Sequence, residues 1–325
     1  VKALLEAGVQ PDILVLRSER SLSPELKRKV ALFCNVKEDS VVESVDVKTI
    51  YEVPLLMLSQ NLDTIVLRKL GLPESEKPEL SDWREFVDRI KNPLHTVRVG
   101  LVGKYVELHD SYKSISESFI HAGAANKCRV IVEHISSEKI DSENVSSILE
   151  NLDGIFVAPG FGQRGIEGKI EAVRYARENN IPFFGVCLGM QCAVIEFARN
   201  VLGLKGAHST EMDPSTPFPV IDLMEDQKKI TEKGGTMRLG GYRCIVNNDS
   251  NSFRAYGTRE IIERHRHRYE FNNKYLYDFT GNGMLPAGVN PEWDLVEIIE
   301  IPSHRWFVGV QFHPEYNSTV LNPHP

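Results

Sequence analysis

The chain has 325 residues, of which 42% are hydrophobic and 26% are charged, and its formal net charge is −7 at pH 7. This balance is typical of a folded globular protein and excludes an extensively disordered one. The acidic charge argues against non-specific binding to nucleic acid or anionic membranes. Because the sequence has no apolar run of about 20 residues, it predicts no membrane-spanning helix. The length favours two domains, and we expect neither nucleic acid nor a membrane as a partner.

The cysteines are scattered, at positions Cys34, Cys128, Cys187, Cys192 and Cys244. Their number is odd and no two are spaced as Cys-x-x-Cys, which favours neither a disulfide framework nor a zinc site. This usage predicts a reducing, cytoplasmic compartment and no bound metal. No targeting peptide is visible, and the chain starts at Val1 rather than at a methionine. We therefore expect the sequence to be a piece of a longer protein.

The first part of the chain alternates short apolar strands with helices. Its predicted elements are a strand at 11–16, a helix at 23–34, a strand at 41–45 and a helix at 55–70. These are too few to complete an α/β domain, so residues 1–72 are predicted to be the end of one. Residues 73–95 are rich in proline and charge, which is typical of an interdomain linker.

The α/β alternation restarts in residues 96–325, the second predicted domain. Strands are predicted at 97–102, 129–135, 154–158, 183–186 and 306–312, and helices at 110–125, 142–152, 166–180 and 188–202. This order indicates βαβ units and a mostly parallel central sheet flanked by helices. Residues 205–300 are less regular and favour antiparallel strands. Ligands of such sheets bind beyond the carboxyl ends of the strands.

The strongest chemical signal is PFFGVCLGMQ at residues 182–191, where an apolar strand meets a helix. Cys187 stands between Gly185 and Gly189 in a Gly-x-Cys-x-Gly pattern, the shape of a nucleophile elbow. The glycines permit a tight turn, and the N-terminal end of a helix favours a thiolate. The backbone N–H of Leu188 would point at an oxyanion. On these five residues alone, a buried packing cysteine is an equally good interpretation.

A second signal, Phe312-His313-Pro314-Glu315, follows the last predicted strand. His313 could act as a base, and Glu315 could orient it. Alone, such a tripeptide is more often a polar loop. Because it follows a strand end in the same α/β domain as Cys187, the combination predicts a Cys-His-Glu triad.

These two motifs resemble those of the class I glutamine amidotransferases. From about residue 1 to residue 321, the chain is similar to one branch of them, the CTP synthase family. The similar segments are PDILVLRSER (11–20), KVALFCNV (29–36), APGFGQRGIEGKIEA (158–172), FARNVLG (197–203), STEMDP (209–214), GGTMRLG (234–240) and ERHRHRYEFN (263–272). The family's fold agrees with the βαβ order predicted above.

The resemblance implies hydrolysis of L-glutamine through a cysteinyl thioester, with the ammonia used to convert UTP to CTP. It implies Cys187 as nucleophile, His313 as base and Glu315 as the acid that orients His313. Contacts with glutamine or its oxyanion are implied for Gly160, Phe161, Leu188, Gly189, Met190, Gln191, Glu211 and Arg268.

The resemblance also implies nucleotide contacts. The family's activator GTP is expected at Arg164, Gly165 and Glu167. Edges of the ATP and UTP/CTP sites are expected at Arg17, Lys29, Val45, Asp46 and Val47. The chain has no Gly-x-x-x-x-Gly-Lys-[Ser/Thr] motif, so we expect no cofactor in this stretch itself, whereas the whole enzyme would use ATP and Mg²⁺. The resemblance further implies a homotetramer, with filaments as a further assembly.

One departure from the family lies in Ala158–Gly162, which we name the oxyanion loop. The family usually has Pro-Gly-Gly-Phe-Gly there, whereas this chain has Ala-Pro-Gly-Phe-Gly. Pro159 fixes its own φ and has no N–H. Gly160 keeps its N–H, so we expect a stiffer loop that still functions.

The RHRHR segment at 264–268 can also be interpreted without any role in a functional site. On a strand its arginines share one face and its histidines the other. Without the family, the residues favour a solvated strand edge over a nucleic-acid patch, because Glu260, Glu263 and Glu270 lie nearby.

Two other functions remain open at this point. A different Cys-His-Glu hydrolase, such as a γ-glutamyl hydrolase-like enzyme, would admit longer γ-glutamyl chains. A non-catalytic assembly module of the synthase would use residues 1–90 for contacts.

Overall fold

The computed structural model describes residues 1–74, 78–223 and 237–325. Residues 75–77 of the predicted linker and residues 234–236 of the GGTMRLG segment therefore lie outside the described residues. The chain forms two compact units, Val1–Lys91 and Asn92–Pro325. Within the described ranges, no helix is long and apolar enough to cross a membrane.

Unit 1 contains a two-stranded parallel sheet of β1 (Leu14–Ser18) and β2 (Val41–Val45). Its helices are α1 (Lys2–Glu6), α2 (Pro24–Cys34), α3 (Val53–Ser59), α4 (Leu62–Lys69) and α5 (Ser81–Lys91). Ser23 caps α2 as predicted, since its Oγ accepts a hydrogen bond from the Leu26 N–H at 3.2 Å. Helix α5 lies in the predicted linker, and its Trp83 Nε1 donates to the Tyr51 carbonyl at 2.7 Å. The linker role itself stays a prediction.

The single helix predicted at 55–70 is wrong, because the structure has two helices there, α3 and α4. Asn61 between them has a φ of 56°, which a continuous helix cannot contain. The preceding Gln60 binds the backbone of Glu43 through its side-chain amide, with both contacts at 2.7–2.8 Å. A tertiary contact therefore interrupts a helical pattern.

Unit 2 is built on a nine-stranded sheet, counted over the described residues. Its strands are β3 (His95–Gly103), β4 (Cys128–Ser136), β5 (Gly154–Val157), β6 (Phe183–Val186), β9 (Arg238–Val246), β10 (Glu260–His267), β12 (Leu285–Asn290), β13 (Leu295–Glu300) and β14 (Phe307–Val310). They lie in the order β10-β9-β12-β13-β14-β6-β5-β3-β4. The pairs from β14 to β4 are parallel, and those from β10 to β14 are antiparallel. Both the α/β class and the antiparallel strands within 205–300 are confirmed.

The remaining elements flank this sheet. A small sheet holds β7 (His208–Ser209), β8 (Pro219–Asp222) and β11 (Glu270–Phe271). The helices are α6 (Lys113–Ala125), α7 (Val145–Leu149), α8 (Ile166–Glu178), α9 (Leu188–Asn200), α10 (Asn251–Tyr256) and α11 (Leu276–Gly281). The helix predicted at 142–152 is shorter than expected. Asp141 Oδ1 accepts from the N–H groups of Glu143 and Asn144, and such local bonds compete with helix formation.

Apolar side chains cover both faces of the large sheet. Leu101 and Val102 are successive residues of β3 and belong to different buried clusters, as side chains on opposite faces must. Helices α8 and α9 contribute to the cluster that contains Val102. The carboxyl ends of the parallel strands therefore meet at one edge, where Cys187 follows β6 and His313 lies shortly beyond β14.

Candidate active site

Cys187 occupies the sharp turn between β6 and α9. Its backbone has φ 53° and ψ −105°, a sparsely populated conformation for a residue with a side chain. The turn is held because the Cys187 N–H donates to the Val310 carbonyl on β14 at 2.7 Å. Cys187 is 2% exposed, and none of the cysteines is in a disulfide. The structure thus has the elbow geometry that the Gly-x-Cys-x-Gly pattern predicted.

The two glycines of this pattern are required by close backbone approach. A Cβ on Gly185 would lie 2.7 Å from the carbonyl carbon of Gly189. A Cβ on Gly189 would lie 2.2 Å from the carbonyl oxygen of Val157 on β5. Neither contact can be relieved by turning a side chain, so α9 can approach the sheet only with glycine at both positions.

We expect Gly189→Ala to destabilise the protein by about 3 kcal/mol, because the methyl group would push α9 away from β5. Gly281→Ala is the matched control, since Gly281 is also helical and an added Cβ meets nothing within 4 Å. That control should change the free energy of unfolding by less than about 1 kcal/mol. Chemical denaturation measures both variants. Equal stabilities would show that the elbow tolerates a side chain at position 189.

His313 and Glu315 lie at the same sheet edge. The Nδ1 of His313 is 2.8 Å from Oε1 of Glu315, and both side chains are less than 10% exposed. The His313 N–H donates to the Arg264 carbonyl on β10 at 2.8 Å, and its ring stacks on Tyr316. Burial alone would lower the pKa of His313, but interactions with Cys187 and Glu315 raise it to about 10.

The Nε2 atom of His313 is the free end of this pair. It is buried and has no hydrogen-bond partner of ordinary geometry among the described residues. The Cys187 thiol nevertheless lies near enough to raise the pKa of His313. Active-site hydrogen bonds are often long or misaligned until substrate binds. The order of groups is Cys187, then His313, then Glu315, as a nucleophile, base and orienting acid require.

Two cavities open beside Cys187. The larger, of about 380 Å³, is lined by His313, Glu315 and Tyr316 among others, and we name it the His313 cavity. The smaller, of about 300 Å³, is lined by Gln191, Glu211 and Arg268 among others, and we name it the Glu211 cavity. Both cavities are also lined by Gly160, Phe161, Cys187 and Arg266. A ligand in the Glu211 cavity would thus meet Cys187 from one side, with His313 on the other.

The Glu211 cavity gathers most of the residues that the resemblance implies for glutamine. Its lining includes Gly160, Phe161, Gln191, Glu211 and Arg268. Leu188, Gly189 and Met190 do not line it; they are buried in the first turn of α9. Only backbone groups of that turn remain as contacts, and their role stays a prediction.

Four residues of the Glu211 cavity were not predicted from the sequence: Met237, Arg266, His267 and Tyr269. Three of them lie within two residues of Arg268, so the sequence indicated the segment that lines the cavity. It did not indicate which other side chains of that segment face the cavity. Gln191 connects this wall to the elbow helix, because its Nε2 donates to the Tyr269 carbonyl at 3.1 Å and to Gln311 Oε1 at 3.3 Å.

The RHRHR segment is only partly a solvated edge. Arg264 and Arg266 are exposed, as the two-face pattern predicted, but His265 and His267 are each 1% exposed, so the solvated interpretation is wrong for them. Their rings are joined by a 2.9 Å contact between His265 Nδ1 and His267 Nε2. Burial holds the pKa of both histidines far below the usual range, so they are neutral at neutral pH.

His265, His267 and Glu297 have donor atoms within 4.8 Å of one another, a spacing compatible with a metal ion. Arg238 donates to Glu297 Oε1 at 2.8 Å and to Glu270 Oε1 at 3.0 Å, so a cation already balances this cluster. The 2.9 Å between the two ring nitrogens is also shorter than the roughly 3.3 Å expected between two ligands of one zinc ion. The arrangement fits a hydrogen-bonded pair of imidazoles.

Comparison with known proteins agrees with this geometry. The family profile "Glutamine amidotransferase class-I" matches residues 107–325, and the profile "CTP synthase N-terminus" matches residues 1–72. A solved structure of the Trypanosoma brucei CTPS glutaminase domain with bound acivicin is 38% identical, with a TM-score of 0.66. The match covers 70% of this chain and 90% of that one.

The chain belongs to the CTP synthase branch of the class I glutamine amidotransferases. Similar curated relatives are the CTP synthases of Flavobacterium johnsoniae, at 59% identity, and Cytophaga hutchinsonii, at 61% identity. Each match covers the whole of this chain and 60% of the relative. The chain therefore spans about three fifths of the length of these synthases.

The residues expected to bind GTP, Arg164, Gly165 and Glu167, do not share one set of contacts. Arg164 pairs with Glu138 at 3.1 Å, and its guanidinium lies 4.5 Å from the ring centroid of Tyr105. Gly165 precedes α8 with a φ of 70°. Glu167 pairs with Arg199 at 2.8 Å. Arg164 is thus next to a residue that lines the His313 cavity, whereas Glu167 is bound to α9.

In unit 1, four of the five residues expected at nucleotide edges share one place. Arg17 is the last residue but one of β1, Val45 ends the parallel strand β2, and Asp46 and Val47 follow Val45 directly. Arg17 Nε is 3.5 Å from Asp46 Oδ1, and both side chains are exposed. Lys29 lies on α2, where it pairs with Glu25 at 3.1 Å. Strand carboxyl ends are where α/β sheets bind ligands, so the grouping is compatible with a nucleotide edge.

Proposed function

We propose that this chain hydrolyses L-glutamine to L-glutamate and ammonia through a thioester on Cys187. The observation that carries the proposal is the 2.8 Å pair of His313 and Glu315 beside an elbow cysteine, next to a cavity that contains both Glu211 and Arg268. This set offers a nucleophile, an acid–base group and two charges of opposite sign for an amino acid.

The substrate's α-groups match the charges of the Glu211 cavity. Arg268 would bind the α-carboxylate, since its buried Nε lacks a hydrogen-bond partner among the described residues. Glu211 would bind the α-ammonium. The side-chain amide would then extend towards Cys187, which lines the same cavity.

The first half of the reaction forms the thioester. The Cys187 sulfur attacks the carboxamide carbon, and the N–H groups of Gly160 and Leu188 stabilise the oxyanion. The raised pKa of His313 keeps its ring protonated at neutral pH, so that it can give a proton to the departing amide nitrogen. The C–N bond breaks, ammonia leaves, and His313 becomes neutral.

The second half consumes water. Neutral His313 takes a proton from water as the water oxygen attacks the thioester carbon. The C–S bond then breaks, and glutamate and the Cys187 thiolate are released. Glu315 holds Nδ1 throughout and stabilises the imidazolium that forms.

For the whole protein of which this chain is a part, we propose CTP synthase activity. Ammonia from glutamine would replace the 4-oxygen of UTP after its activation by ATP and Mg²⁺, with GTP as activator. Two findings support this: the relatives named CTP synthase, and the grouping of Arg17, Val45 and Asp46 at strand ends. A cytoplasmic homotetramer, with filaments as a further assembly, belongs to the same proposal.

A substrate panel tests the glutaminase proposal against its alternatives. We expect glutamate release from L-glutamine and none from glutamine extended at its α-carboxylate or from poly-γ-glutamate, because Arg268 and Glu211 would bind the free α-groups. Preferential cleavage of γ-glutamyl chains would instead favour a γ-glutamyl hydrolase. Concentration-dependent assembly without any hydrolysis would favour the assembly module.

A further inference from the structure

Two buried lysines hold the backbone of the oxyanion loop. Lys169 on α8 is 0% exposed, and its Nζ donates to the Ala158 carbonyl at 2.5 Å. Lys104, directly after β3, is 4% exposed, and its Nζ donates to the carbonyls of Phe161 at 2.6 Å and Gly162 at 2.9 Å. Three of the five loop carbonyls therefore accept a bond from an ammonium group.

The peptide unit between Phe161 and Gly162 is held at both of its edges. The Phe161 carbonyl and the Gly162 N–H belong to the same trans peptide unit and point in opposite directions. Lys104 binds the carbonyl, and Glu211 Oε1 accepts from the N–H at 3.0 Å. A cation and an anion thus hold opposite edges of this unit.

Lys169 acts on the other side of Gly160. It binds the carbonyl of Ala158, whose peptide unit has no N–H because Pro159 follows. The N–H of Gly160, the proposed oxyanion donor, therefore lies between two peptide units that are each held by an ammonium group. Because the peptide units before and after it are held, the backbone around the Gly160 N–H has less freedom to rotate away from the substrate.

The positions of both ammonium groups are unfavourable for solvation. Burial lowers the pKa of Lys104, and it lowers the pKa of Lys169 to about 8. Their hydrogen bonds go to neutral carbonyls, which compensate only in part for lost hydration. The thiols of Cys192 and, to a smaller extent, Cys187 act on the pKa of Lys169 in the opposite direction. A methionine in either place would avoid the free-energy cost of removing an ammonium group from water. A functional role would explain why lysine occupies both positions.

We propose that Lys104 and Lys169 are positioning residues that orient the oxyanion loop for glutamine hydrolysis. This inference rests on the proposed glutaminase function. The two lysines act through the backbone of residues 158–162 and place a buried positive charge behind it. Their loss should impair the transition state more than the binding of substrate.

The test compares Lys104→Met and Lys169→Met with the exposed control Lys205→Met. Methionine has nearly the same length and lacks the ammonium group. We expect kcat for glutamine to fall about 10- to 100-fold in the first two variants, with KM within about threefold of the wild type. Binding of glutamate γ-semialdehyde, which forms a tetrahedral hemithioacetal with cysteine, should weaken by a similar factor. Binding of L-glutamate should remain within threefold.

The outcomes separate this inference from the function on which it rests. Wild-type protein without Cys187-dependent glutamate release would overturn the proposed function. Active wild type with both methionine variants equal to Lys205→Met would overturn the inference alone. A parallel loss of glutamate and semialdehyde binding would also overturn it, because that pattern indicates general damage to the site. Lys104→Arg, which keeps a cation, should recover part of the lost kcat, and its failure to do so would count against orientation by charge.

Discussion

Replacing Cys187 with alanine is expected to lower the rate of glutamate release by at least about 10³-fold, to the background of the assay. In the proposed mechanism the Cys187 sulfur forms the bond to the substrate carbon, and no other described group is placed to replace it. Cys192 is the nearest cysteine in sequence, but it is fully buried in α9, and burial raises the pKa of its thiol to about 11. It is therefore a poor nucleophile at neutral pH.

Cys192→Ala is the matched control for this experiment. It removes a buried sulfur from α9, the helix that follows Cys187, and should change activity less than about tenfold, apart from any effect on stability. Binding of L-glutamate to Cys187→Ala, followed by calorimetry, should persist because Glu211 and Arg268 remain. Substantial hydrolysis by Cys187→Ala would exclude the thioester mechanism.

Replacing His313 with asparagine is expected to lower kcat by about 10²- to 10⁴-fold, the usual contribution of a general acid–base group. In the proposed mechanism the same residue protonates the leaving nitrogen and activates water, so both halves of the reaction should slow down. Because His313 lines the cavity opposite to the one that contains Glu211 and Arg268, KM should change much less than kcat.

His208→Asn is the control for this second prediction. His208 lies 3.8 Å from Glu167, and it lines neither of the two cavities beside Cys187. Steady-state kinetics on both variants should show a large loss for position 313 and a small change for position 208. Equal activities would mean that another group transfers the protons.

The elbow and the pair beyond it could be predicted because their signals are local. Gly185 and Gly189 mark the places where backbone segments approach closely. A Cβ atom added at either position would lie less than 3 Å from a backbone atom. His313 and Glu315 follow a strand, and strand order alone places them at the edge where Cys187 lies. Most of the proposed chemistry could thus be predicted from short motifs at strand ends.

The groups that support this chemistry could not be predicted in the same way. Lys104 and Lys169 are far apart in sequence, and their contact with the oxyanion loop depends on how β3 and α8 pack in three dimensions. A lysine in an amphipathic helix also normally indicates a solvated face. Its complete burial at position 169 follows only from the fold.

The histidines of β10 show the limit of periodicity. Alternation predicted that arginines and histidines lie on opposite faces, and the structure agrees. It could not indicate which face is covered. The buried partners Arg238 and Glu297 come from β9 and β13, so the answer depends on tertiary contacts. Likewise, a contact from Gln60 to the Glu43 backbone interrupts the helix predicted at 55–70.

The central claim is a covalent intermediate on Cys187, and acid quenching followed by mass spectrometry tests it most directly. The chain is mixed with L-glutamine, quenched during turnover and digested, for the wild type and for His313→Asn and Cys187→Ala. We predict one γ-glutamyl group on the peptide that contains Cys187 in the first two proteins and none in Cys187→Ala. Glutamate release without any adduct in either of the first two, or with the adduct on Cys192, would contradict the account.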